Sequence, residues 1–478
     1  MKAVARLVSR VLPDSAFGRS TVKIVGGTAL AQVIAFAASP LLTRIYDPGA
    51  YGVFATLVGI ASTLTVISSL SYEVSIPVPR GQRMAVNAIF LCLALLGASV
   101  VLTTLVLLAF APTIAGWLFD GQTSPAWLLA IPLLLAGMGF NQIASAAALR
   151  ARAFNAISGV RIVQAGTTAA CQAALFPADG MGLAGGMIAG QLIGARRLWR
   201  AAFPDGASEG VNLRNIGRAM SRFRRFPLFE GPFSLVNSAG NYLPPVLLVA
   251  FFGPAIGGLF ALAQRVLSAP VGMVATASGQ VFFASAAQAN RDGSLGGLVA
   301  QVQNNLSRLV LPAMVLLALT GPDVFAFVFG ERWRDAGTVA ALMTPWLYMQ
   351  ALGSTVSTVW VVQGNLHHGT VIGLAGFVLR CAALLSAVWI KDWVLVIGIF
   401  SAVNAFYYLV VALYAVRFSR ASLPGFALDQ GKALAVALAF ALPTAAGLIA
   451  GGMLAVLAGL AMSGLLLLPY YHRVVRGL

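Results

Sequence analysis

The chain has 478 residues, of which 9% are charged and 59% hydrophobic, against about 25% charged in a typical soluble domain. A chain with so few charges cannot clothe a water-soluble surface, and its apolar runs reach ~20 residues, the length of a membrane helix rather than of a ~10-residue barrel strand. The formal charge of +17 comes from basic residues gathered in short segments between apolar runs, which is the pattern of a polytopic membrane protein and argues against a nucleic-acid partner.

Residues 1–21 read as a cytoplasmic N-terminus, with no short apolar run followed by a cleavage site. Fourteen apolar spans follow, near 22–43, 50–76, 86–111, 126–149, 156–178, 181–199, 229–252, 256–286, 305–329, 337–363, 369–390, 393–416, 430–450 and 452–471. The expected fold is an all-α polytopic membrane protein. A first six-helix bundle covers 22–199, a cytoplasmic linker 200–228, and a second six-helix bundle 229–416. Two extra helices and a cytoplasmic tail complete the chain at 417–478. With the N-terminus inside, 23 Lys and Arg fall on the cytoplasmic side and 4 outside, which sets the orientation and places the C-terminus inside as well. The longest loop has about 27 residues, too few for a catalytic domain, so an enzyme built on a large external loop is excluded. Cys92, Cys171 and Cys381 sit inside apolar runs, and neither a disulfide framework nor a metal site is indicated.

Sliding the chain by 206 residues superimposes the first and seventh spans. Pro48 meets Pro254, Gly52 meets Gly258, and Phe54-Ala55 meets Phe260-Ala261. Both six-span halves start on the same side, so the repeat is parallel. Such repeats mark transporters that rock two bundles about a midplane site.

Ionisable groups in hydrocarbon are costly and therefore informative. Arg265 lies in the eighth span, Arg380 in the middle of the eleventh, and Arg161 in the inner half of the fifth. Arg308, near the start of the ninth, is placed to snorkel. The acids are few: Glu73 at the inner end of the second span, Glu230 at the start of the seventh, Asp323 in the outer part of the ninth. Glu230, Ser234, Asn237, Ser238 and Asn241 share one helical face. So do Thr28, Gln32, Ser39 and Thr43, and so do Ser62, Thr65, Ser69 and Glu73. Such stripes either glue helices together or line a water-filled interior. Cations at mid-membrane with few acids nearby favour an anionic substrate, since Arg forms bidentate hydrogen bonds to phosphate.

Several blocks resemble one family. Arg44-Ile-Tyr46-Asp-Pro48-Gly-Ala-Tyr51-Gly52-Val-Phe54-Ala55 is similar to the first outer loop of bacterial polysaccharide flippases, the O-antigen (Wzx-type) and exopolysaccharide translocases of the MATE-like (MOP) exporter superfamily. Leu70-Ser-Tyr72-Glu73, Arg224-Arg225-Phe226-Pro227, Ala263-Gln-Arg265 and Phe329-Gly330-Glu331-Arg-Trp333-Arg-Asp-Ala336-Gly337 follow in the family's order. Ser71 stands where many relatives carry Arg, and Ala284 where many carry Pro. The resemblance implies a transporter, not an enzyme. It would move an undecaprenyl-diphosphate-linked oligosaccharide across the inner membrane by alternating access, without a cofactor beyond a coupling H+ or Na+. Its partners would be membrane lipids, a polysaccharide polymerase and a chain-length regulator. Arg265, Arg380 and Arg161 would then attract the diphosphate, Asn237, Asn241 and Gln32 would meet sugar hydroxyls, and Glu73, Glu230 and Asp323 would couple or gate. Two alternatives share the fold: a flippase for the peptidoglycan precursor and a cation-coupled drug antiporter.

Overall fold

The computed structural model describes residues 16–79, 81–119, 121, 123–203 and 211–476. Of the sequence assignments, the cytoplasmic positions Lys2, Arg6, Arg10 and Arg80 and the linker residues 204–210 lie outside the described residues. Among the described residues every regular element is helical, and fifteen helices run ten residues or more. They are α1 (Ala16–Ile45), α2 (Pro48–Ser68), α3 (Gln82–Phe119), α4 (Ala130–Arg150), α5 (Phe154–Ala174), α6 (Gly180–Ala202), α7 (Leu213–Arg222), α8 (Gly231–Phe252), α9 (Pro254–Arg291), α10 (Leu295–Phe329), α11 (Arg334–Val356), α12 (Leu366–Leu385), α13 (Trp393–Phe418), α14 (Leu423–Ala450) and α15 (Met453–Arg476).

Eleven of the described helices are long and apolar enough to cross a membrane. Helices α5, α6 and α11 stand where spans were expected but fall short of that apolarity, so the count of fourteen remains an expectation. Their sequences explain the shortfall: α5 carries Arg161, Gln164 and Gln172, α6 ends on Arg196 and Arg197, and α11 opens on Arg334 and Asp335. α11 is largely buried among other helices, so it need not offer apolar side chains to lipid. The opposite holds on α3, where Leu102, Leu105 and Leu108 are about 60% exposed. Exposed leucines in series suit a hydrocarbon solvent, whereas water would penalise such a patch. The chain is a multi-pass membrane protein. Helices α3 and α9, each 38 residues long, extend about 57 Å at 1.5 Å per residue and outrun a ~30 Å hydrocarbon core.

Local chemistry fixes the short connections. Asp47 N-caps α2, accepting from the Ala50 amide at 2.8 Å, and Pro48 occupies the first turn, where its missing N–H costs nothing. Gly253, at φ 85°, ends α8 and lets Pro254 begin α9 at once. Asp392 caps α13 and Ser422 caps α14 in the same way as Asp47.

The chain divides into two compact units, Met1–Ala261 and Leu262–Leu478. In the first unit α8 packs on α2, and α2 is central. Val53, Leu57 and Ala61 are buried against the C-terminal turns of α3, against Ile131 and Leu134 of α4, and against Val246 and Val249 of α8. In the second unit α11 is packed between α10 and α13. There Phe282, Val299, Val356, Val359 and Val416 form one core. Helix α14 is tied in by polar contacts: Gln430 accepts from Ser307 at 2.8 Å and from the Tyr348 hydroxyl.

Candidate functional site

Two polar centres stand out, one in each unit. The first surrounds Glu73. The chain leaves α2 at Ser68 and makes a single 3-10 turn over Tyr72–Ser75, with Leu70 and Ser71 at positive φ. This turn buries the Glu73 carboxylate, which is 6% exposed. One oxygen accepts from the Ser69 hydroxyl and the other from Gln142 Nε2 at 2.7 Å. Glu230 belongs to the π-helical turn Phe226–Glu230 that leads into α8 and accepts from Ser234 at 3.1 Å. The turns carrying Glu73 and Glu230 adjoin. Both acids lie beyond the apolar stretches Pro48–Ser68 and Ser234–Phe252. Burial pushes the Glu73 carboxyl above the usual carboxylate range. The Ser69 hydrogen bond pulls it back, and the Glu230 charge adds to the rise.

The second centre surrounds Arg380 on α12. Its guanidinium stacks over Tyr407 at 4.2 Å from the ring centre and lies 5.3 Å from that of Tyr408, both on α13. Nε and Nη2 are buried with no hydrogen-bond partner. Tyr408 is held in turn by Gln350 of α11, whose Nε2 donates to its hydroxyl at 3.2 Å. One turn before Arg380, Gly376 makes this packing possible: a β-carbon there would lie 2.2 Å from the Tyr407 ring. Stacking on tyrosine faces holds a desolvated cation without neutralising it. The clamp therefore presents a positive charge with unused donors.

The remaining sequence candidates are more dispersed. Arg265 is half-buried on α9, while Gln32 on α1 and Arg161 on α5 are exposed. Asn237 and Asn241 are exposed on α8, where Asn241 Nδ2 donates to the Asn237 carbonyl at 2.8 Å. Asp323 is engaged by Arg334 at 2.7 Å, and Arg334 also holds Glu331. Glu73 and Glu230 are thus brought into one centre, and Asn237 is joined to Asn241 by one helical turn.

Sequence reasoning did not single out Gln142, Tyr407, Tyr408 or Gln350. Nor did it find the network in which Asn141 and Gln164 both donate to Gln191 Oε1 at 2.5 Å. The available signal was the pair Asn141-Gln142 inside an otherwise apolar run.

The motif around 44–55 proves to be a structural joint. Tyr46, fully buried, donates to the Gln172 carbonyl at 2.7 Å. Asp47 and Pro48 start α2. Gly52 approaches the carbonyl of Pro254 so closely that a β-carbon would sit 1.8 Å from it. The 329–337 block does the same for α10 and α11: Trp333 is fully buried and Gly337 lies against Gly321. Opposite Tyr46, Asp179 sits at φ 51° and ψ −137°. Burial pushes its carboxyl above the usual range, the Asp47 charge adds to this, and the Gly180 amide opposes it.

These features define the class: an all-helical multi-pass membrane protein. The chain belongs to the family described as polysaccharide biosynthesis protein, whose model matches residues 41–338. No curated protein matches it in sequence. Among solved structures it is similar to the lipid II flippase MurJ in an inward closed conformation, with TM-score 0.69, 11% identity, and coverage of 94% of this chain and 98% of that one. It is also similar to a multidrug resistance MATE family transporter of the MOP superfamily in an inward-facing conformation, with TM-score 0.57, 16% identity, and coverage of 87% and 98%.

Proposed function

We propose that this chain is a flippase for an undecaprenyl-diphosphate-linked oligosaccharide, the repeat unit of an O-antigen, exopolysaccharide or capsule. It would work in the bacterial inner membrane with both termini cytoplasmic, by alternating access coupled to H+ or Na+, and would hand its cargo to a polymerase and its chain-length regulator. The observation that carries the reading is the Arg380 clamp. A desolvated guanidinium with two unpartnered nitrogens and tyrosine faces for support calls for an anion, and a diphosphate offers oxygens in the geometry Arg binds best. Arg265, half-buried and unbonded to any other described residue, and Arg161 add cationic character. Asn237, Asn241 and Gln32 are the donors and acceptors offered to sugar hydroxyls. The Glu73–Glu230 centre is the candidate for proton exchange, since two acids side by side resist double ionisation. Asp323 would couple only in a state that releases it from Arg334.

The test is transport of lipid-linked oligosaccharide in proteoliposomes. Arg380→Ala and Arg265→Ala should each lower the rate at least tenfold, about 1.4 kcal/mol of lost interaction, with Arg380→Lys intermediate. Full activity in all three overturns the diphosphate role. Transport of the peptidoglycan precursor or of cationic drugs in the same vesicles, without the oligosaccharide, would move the assignment to those substrates.

A further inference from the structure

The first unit holds a cavity of about 800 Å³ at the helix ends expected to face the cytoplasm. It opens between the start of α3, the α4–α5 connection and the last turn of α6. Its floor is apolar, with Ile89 and Ala147 buried and the Phe203 ring alongside, and its rim carries Arg150 and Arg152. None of the described residues lining it is acidic.

The two arginines are presented differently. Arg150 Nη1 donates to the carbonyls of Ile76 and Pro79. These neutral acceptors fix the guanidinium in place, and no acid among the described residues pairs with it. Arg152 is exposed, makes no bond to another described residue, and sits in the left-handed region at φ 55°. That conformation follows from the tight turn in which the Ala153 amide returns to the Ala148 carbonyl. It carries the Arg152 side chain onto the cavity rim.

We propose that this cavity binds a phosphate group at the membrane boundary, carried by an anionic lipid whose chain lies over the apolar floor. The volume is in the range of small-molecule sites. A cationic rim above an apolar and aromatic floor matches a lipid headgroup better than a fully hydrated ion. The site shares no residue with the Arg380 clamp and does not depend on what the protein transports.

The test uses the purified full-length protein, titrated with phosphatidylglycerol, phosphatidylcholine and inorganic pyrophosphate. Bound adducts are counted by native mass spectrometry. Phosphatidylglycerol should be retained over phosphatidylcholine. Arg152→Gln should weaken that retention about tenfold, the scale of one charge-assisted hydrogen bond, with partial rescue in Arg152→Lys. Ala151→Trp, at an exposed lining position, should block the cavity without changing charge. Pyrophosphate binding that is lost in both variants, without lipid selectivity, would uphold the phosphate site and reject the lipid source. Equal retention of phosphatidylglycerol in wild type, Arg152→Gln and Ala151→Trp, with no pyrophosphate binding, overturns the proposal.

Discussion

Gly52 and Gly258 pack reciprocally. A β-carbon on Gly52 would lie 1.8 Å from the Pro254 carbonyl oxygen, and one on Gly258 would lie 1.8 Å from that of Pro48. The two pairs are the ones superimposed by the internal repeat, so equivalent first turns cross about a local twofold and each glycine admits the other turn's backbone. Gly52→Ala or Gly258→Ala must therefore push the helices apart, at about 1–3 kcal/mol for overpacking. Thermal melting in detergent should show both destabilised. Gly116→Ala, on an exposed face of α3 with open space around it, should be neutral or stabilising by up to about 1 kcal/mol.

Gly376 serves the Arg380 clamp in a comparable way. Gly376→Ala displaces the Tyr407 ring from beneath the guanidinium, and Tyr407→Leu removes the ring. A cation–π contact is worth about 2 kcal/mol where desolvated, so each variant should lower transport roughly tenfold or more. Far-UV circular dichroism and melting temperature should stay close to wild type in Tyr407→Leu. Transport unchanged in Tyr407→Leu would separate the tyrosine from substrate handling.

The Glu73–Glu230 centre predicts a pH dependence with a definite sign. Burial raises the Glu73 carboxyl in the folded protein, so the folded state holds its proton more tightly than the unfolded chain. The stabilisation is fully present below the ordinary carboxylate range and is lost as pH rises through the elevated folded value. Glu73→Gln, which mimics the protonated form, should flatten this part of the melting-temperature profile and be the more stable protein at neutral pH. An unchanged profile in Glu73→Gln would remove Glu73 from the titration.

Asp179 combines a carboxyl held above its usual range with a backbone conformation that suits glycine. Asp179→Gly relieves both, and Asp179→Asn relieves the charge alone. Both should raise the melting temperature at neutral pH, Gly more than Asn. The advantage should shrink at acidic pH, where Asp179 is protonated in the wild type.

Much of this architecture is legible in the sequence because hydrocarbon imposes simple rules. Long apolar runs mark the helices, and the shared phase of Pro48 with Pro254 and of Gly52 with Gly258 reveals the repeat whose contact the structure displays. Arg380 and Glu73 also stand out, because charge is rare in such a chain. Their partners do not. Gln142 reaches Glu73 across 69 residues, and Tyr407 lies on a different helix from Arg380, so only tertiary packing pairs them. Asp323 is legible as an acid in the ninth span, but nothing in that span reveals its partner Arg334. Spans such as α11 are ambiguous for a related reason: a helix enclosed by other helices no longer needs an apolar surface for lipid.

The most direct test of the central claim is the fate of lipid-linked oligosaccharide in the native host after deletion of this protein. The account predicts loss of one surface glycan with its undecaprenyl-diphosphate repeat unit trapped on the cytoplasmic face. Wild type should restore the glycan, and Arg380→Ala, although expressed in the membrane, should not. An unchanged glycan profile with no trapped repeat unit, in a strain lacking any second flippase of this family, would contradict the account.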